Sequence, residues 1–152
     1  MADESYVEEI ETWKLLIGGF IMAFGEVELY TYKLWRDIFP GTEVRNEFKP
    51  RIDKLVGKLR GSNLELNGAP CPIELLIQAR ALYDKRNTVA HSPMQVQVYE
   101  HTESKEIFTE LAISSEKNDD YITDQELAEL QNQTNVIVSG LFEFYTKGKV
   151  NA

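Results

Sequence analysis

The chain has 152 residues, 43% of them hydrophobic, and a formal net charge of −9, which suits one domain around a single core without cross-links. Cys71 is the only cysteine and His91 and His101 the only histidines, so an internal disulfide and a zinc cage of cysteines and histidines are both excluded, and no metal or cofactor is expected. The acidity excludes a protein that coats nucleic acid by general electrostatics, because phosphate contacts need clustered lysines and arginines.

The opening segment MADESYVEEIE is acidic where a secretory signal is basic. The longest apolar run, Leu15 to Phe24, is shorter than the roughly 20 residues that cross a bilayer. A cytoplasmic protein with no membrane partner is the expectation. From Ile10 to Ile38 the apolar residues Ile10, Trp13, Ile17, Phe20, Phe24, Val27, Leu34 and Ile38 keep helical spacing and predict one long amphipathic helix. Gly18 and Gly19 leave its phase intact, which points to close helix approach, and Pro40 and Gly41 end it. A second helix is expected from Asn46 to Arg60, with Pro50 tolerated in its first turn and Gly61 as its stop.

Residues 61–72 read as a polar loop, after which Pro72 opens a third helix that runs to His91 and is closed by Ser92 and Pro93. Beyond it the period changes. Met94, Val96 and Val98 alternate with polar residues, as do Ile107, Thr109, Leu111 and Ile113, predicting a β-hairpin over about 94–113. An acidic loop, Ser114 to Asp120, leads to the capping pattern Thr123-Asp124-Gln125-Glu126 and a last helix ending at Lys147 and Gly148. The expected fold is therefore mainly α: one domain over residues 1–152, an up-and-down bundle of four long helices with a hairpin inserted before the last.

Two features could carry chemistry. Arg45, Lys49, Arg51, Lys54 and Lys58 lie close together with only Glu47 and Asp53 opposing them, and form either a solvated helix face or an RNA-facing stripe. On the third helix, Leu75, Ala79, Leu82, Arg86 and Ala90 share one stripe, so Arg86 stands where an apolar residue is expected. Asn87 and His91 are one turn apart on a neighbouring face. On the first helix Glu28 has the same anomaly, falling on the stripe of Ile17, Phe24 and Trp35. Glu28 and Arg86 would neutralise each other as a structural ion pair, or share a site. A histidine in a last helical turn also gains from the helix dipole alone.

Taken together, Arg86-Asn87-Thr88-Val89-Ala90-His91 at the end of a core helix resembles the HEPN superfamily, whose signature is Arg, four to six residues, then His, often with a polar residue directly after the Arg. The family also often carries an acidic residue on another core helix, for which Glu28 is the candidate. The resemblance implies a metal-independent endoribonuclease, active as a homodimer in which two copies of the motif meet. Its substrate would be single-stranded RNA, cut by attack of the 2′-hydroxyl, with Arg86, Asn87, His91 and Glu28 at the site. Members of this size are often toxins held by an antitoxin, or act in phage defence, so an antitoxin or neighbouring-gene protein is an expected partner. The alternative is a non-catalytic module of the same type that binds RNA, nucleotide or protein. One family variant has a tyrosine two residues after the motif histidine, modified by a partner nucleotidyltransferase; here that position is Pro93.

Overall fold

A single 35-residue helix, α1 (Glu4–Ile38), carries much of the core on one stripe: Trp13, Phe20, Phe24, Val27, Leu34 and Trp35 are all buried. The computed structural model describes residues 4–92, 94–114 and 121–151. Among these, three further helices, α2 (Phe48–Arg60), α3 (Pro72–His91) and α4 (Asp124–Lys147), pack around α1, and two small antiparallel sheets complete a mainly helical fold. The first helix starts earlier than its apolar period, at Glu4 rather than Ile10, since early carboxylates suit the positive end of a helix. By length and composition the stretch Val7–Ile38 is long and apolar enough to cross a membrane, a property that counting one uninterrupted apolar run does not register.

Helix directions depart from the up-and-down expectation. Gly19 lies against Gln131, the Tyr30 and Tyr145 rings are 6.2 Å apart, and Leu34 and Ile38 share a cavity with Phe144 and Gly148. Sequence numbers thus rise together along α1 and α4, and the two helices run parallel. Asp53 pairs with Arg80 and Lys49 with Asp84, so α2 and α3 are antiparallel. Leu75 against Gly140 and Leu82 beside Gln133 make α3 and α4 antiparallel as well. Only α3 runs against the other three. The physical reason is the connection after α1. Residues 39–47 double back, held by Arg51, so that Phe48 starts α2 beside Phe24, at a ring separation of 5.3 Å, instead of beyond the end of α1.

The glycines behave as contacts rather than breaks. A Cβ on Gly19 would collide with the Gln131 amide, and one on Gly140 would sit 2.7 Å from Leu75 Cδ1, whereas Gly18 has open space around it. Gly148, expected as a helix stop, has φ −80°; it is required because its Cα passes against the Phe144 ring, where a Cβ would clash. At the other end of α4, Thr123 Oγ1 accepts a hydrogen bond of 3.2 Å from the Glu126 amide, as the capping pattern predicts.

Two short strands occupy the expected loop 61–72 and the tail after Gly148. β1 (Asn63–Glu65) pairs antiparallel with β5 (Lys149–Asn151), Leu64 opposite Val150. Three-residue strands have no period to detect, and only their long-range pairing defines them. The hairpin β2 (Met94–Glu100) and β3 (Ile107–Ser114) forms with Met94 opposite Ile113, and β3 gains a further partner in β4 (Tyr121–Ile122), whose Ile122 is buried. Pro93 and residues 115–120 of the expected acidic loop lie outside the described residues.

Candidate active site

The third helix leaves the core as it proceeds. Leu75 and Ala79 are buried, Leu82 and Arg86 half-buried, and Ala90 exposed, although Val89 on a different face stays buried. The stripe, apolar in sequence apart from Arg86, is thus a gradient, and Arg86 sits where the protein interior opens to solvent.

There it lines an open cleft of about 460 Å³ with Glu28, Asn46, Lys49, Arg51 and Tyr83 among its walls. Glu28 and Arg86, from helices far apart in sequence, both line this cleft. They are not an ion pair, because no salt bridge among the described residues joins them. Arg86 Nη1 donates to Asn87 Oδ1 at 3.1 Å, and its buried Nε has no hydrogen-bond partner. A guanidinium without a carboxylate, and with an unused buried donor, is costly unless an anion or water completes it. Its planar fork of donors matches the oxygens of a phosphate. Asn87, half-buried, fixes one side of that fork.

The basic stripe divides. Arg45, Lys54 and Lys58 are exposed and in no salt bridge among the described residues; Arg45 and Lys54 line a neighbouring cleft of about 410 Å³ with Trp35 and Thr42. Lys49 is half-buried and paired with Asp84 at 2.8 Å. Arg51 departs from the surface expectation altogether, being only 1% exposed. Its Nε donates to Thr31 Oγ1 at 2.9 Å and its Nη1 to the carbonyls of Arg45 and Asn46 at 2.8 and 3.2 Å, while the guanidinium lies 4.2 Å from the Tyr32 ring centre. It is a core cation tying the doubled-back connection to α1. A helical period of charges does not distinguish such a residue from its solvated neighbours, since Lys and Arg are only rarely fully buried.

His91 is exposed in the last turn of α3 and is not among the residues lining the Arg86 cleft. Five residues of helix place it about 7.5 Å further along the axis and about 140° around it. Sequence reasoning missed Tyr83 and Asn46 as cleft residues. Tyr83 could have been found, because it precedes Arg86 by three positions and shares its face; Asn46 could not, since only the reversal of residues 39–47 brings it there. No family profile, curated protein or solved structure matches this chain.

Proposed function

We propose that the chain is a metal-independent endoribonuclease of the HEPN type, cleaving single-stranded RNA as a homodimer in a toxin–antitoxin or phage-defence role. The observation that carries this reading is the Arg86 guanidinium, which stands in an open cleft beside Glu28 with no carboxylate pairing and with a buried donor unused. The RNTVAH segment adds the imidazole; the helix directions add nothing to the family reading.

The RNA supplies its own nucleophile. As the 2′-oxygen bonds to phosphorus, its proton passes to a base and the bond to the 5′-oxygen breaks, that oxygen taking up a proton. The products are a 2′,3′-cyclic phosphate and a 5′-hydroxyl. His91 serves as the proton-transfer group, since an imidazole titrates nearest neutrality. Arg86 offsets the charge that builds on the phosphoryl oxygens, and Asn87 keeps the guanidinium oriented. Because Arg86 and His91 diverge on one helix, the histidine of a second subunit completes each site. The exposed Arg45, Lys54 and Lys58 hold the flanking backbone.

The test is incubation with single-stranded RNA in EDTA, alongside Arg86→Ala and His91→Ala. Cleavage is expected in the wild type and falls by at least about 100-fold in each variant. Cleavage that requires magnesium, or that persists in both variants, would falsify the proposal. A non-catalytic RNA- or nucleotide-binding module is favoured by one observation, the absence of His91 from the cleft lining. It is selected if no cleavage occurs and RNA binding depends on Arg86 but not on His91.

A further inference from the structure

The outer face of α1 is unusual for a surface helix. Leu15, Met22 and Leu29 are 76%, 73% and 50% exposed and recur every seven residues. Gly18 and Gly25 fall between them on the same line, and a Cβ added to either meets nothing within 4 Å. The stripe Leu15-Gly18-Met22-Gly25-Leu29 therefore has the spacing of a helix-pairing seam, with large side chains alternating with gaps.

Charge is distributed with an opposite sign at each end. The N-terminal part carries Glu4, Glu8, Glu9 and Glu11; residues 33–38 carry Lys33 and the exposed Arg36 against a single acid, Asp37. Some of these charges already have local company, Glu11 with Lys14 at 2.9 Å and Lys33 against the Tyr30 and Tyr145 rings. Exposed pairs of this kind exchange partners at little cost.

We infer that this face pairs with the same face of a second copy of the chain, the two α1 helices running antiparallel about a two-fold axis near residue 20. That register seats two of the three large residues in gaps, Leu15 over the partner's Gly25 and Met22 over the partner's Gly18, and sets Leu29 beside the partner's Glu11. It also brings the acidic start of one helix to the basic end of the other, and Lys14 to the partner's Glu26. A parallel pair would set acid against acid and base against base. Pairing is isologous, so both knobs and both gaps are used twice. The face is separate from the Arg86 cleft, so this contact is distinct from the one that joins the two motifs in the proposed function, and the inference stands whether or not the chain cleaves RNA.

The glycines make the test specific. Gly18→Leu and Gly25→Leu add apolar surface and remove a helix-weakening residue at positions where a Cβ meets nothing within 4 Å, so each variant is expected to fold, with its melting temperature unchanged or higher by circular dichroism. Sedimentation equilibrium over a dilution series is expected to show a wild-type dimer through this seam, or a tetramer where the motif-joining contact also forms. In either glycine variant, and likewise in Met22→Glu, association through this seam should weaken by at least about tenfold in dissociation constant, because the gaps are filled or charged. A monomeric wild type, or stronger association in the leucine variants, overturns the inference. So does binding of the wild type to phosphatidylcholine vesicles that increases in the leucine variants, since a membrane rewards added apolar area and has no use for a gap.

Discussion

Arg51→Met separates a core cation from an RNA contact. The guanidinium makes one fully buried hydrogen bond, 2.9 Å to Thr31 Oγ1, and two to the carbonyls of exposed residues Arg45 and Asn46. Losing the first costs about 1.5–3 kcal/mol, as for hydrogen bonds from charged groups; water replaces the other two. Loss of stacking on Tyr32, 4.2 Å away, adds up to about 2 kcal/mol for a desolvated cation over a ring. Against this, methionine refills most of the volume and the desolvation cost of the charge disappears. Thr31 is not left unsatisfied, because its hydroxyl also donates to the Glu28 carbonyl at 2.7 Å. The net expectation is a loss of about 2–3 kcal/mol, or a melting temperature lower by roughly 4–12 °C for a chain of this size. Urea denaturation should show a lower midpoint with an unchanged slope. Lys54→Met, on the exposed side of the same helix, should change stability by less than about 0.5 kcal/mol. If Arg51→Met is as mild as Lys54→Met and instead weakens RNA binding, the assignment of Arg51 to the core is refuted and the original surface stripe is restored.

Further outcomes follow from packing and titration. Gly140→Ala places a methyl 2.7 Å from Leu75 Cδ1 and should destabilise by about 1 kcal/mol after the helix-propensity gain is subtracted from the overpacking. Gly57→Ala, in open space on α2, should stabilise by about 0.5–1 kcal/mol; thermal melts of equal sign would show that the α3–α4 seam is not tight. The Tyr99 hydroxyl is pushed up to about 12 from its ordinary value of 10.0, first by its hydrogen bond with Tyr121, then by burial and the nearby Tyr121 and Glu110 charges. A phenol whose folded-state pKa is raised contributes stability that is complete below the unfolded value and is lost as pH rises through the folded one, so the window is pH 10 to about 12. Tyr99→Phe should flatten the fall in stability across that window, measured by urea midpoints, and an unaltered pH profile would dissociate Tyr99 from it.

Much of the architecture was legible because it is periodic. The four helices, the hairpin from Met94 and the Thr123 cap appear where spacing and capping chemistry put them, apart from the starts of α1 and α2, at Glu4 and Phe48 instead of Ile10 and Asn46. What the periods do not carry is direction. The parallel course of α1 and α4 depends on residues 39–47 turning back, which is fixed by Arg51 reaching their carbonyls, and no local signal in that segment specifies it. The strands β1 and β5 are missed for a related reason, their only structure being a pairing across the length of the chain. At the site, two anomalies on apolar stripes, Glu28 and Arg86, were enough to predict that they share one place, and they do. Their pairing as ions was not, since stripe membership fixes a face but not a distance, and the face of α3 opens to solvent just where Arg86 stands.

As proposed, RNA is cut here through its own 2′-hydroxyl by Arg86 and His91. End-group analysis of a single-stranded oligoribonucleotide digested in EDTA tests it most directly, with a matched substrate bearing one 2′-deoxyribose at the cleaved position. The expected products carry 2′,3′-cyclic phosphate and 5′-hydroxyl ends, with no cutting at the deoxy position and none by His91→Ala. Products bearing 5′-phosphate ends, or cutting at the deoxy position, would contradict it.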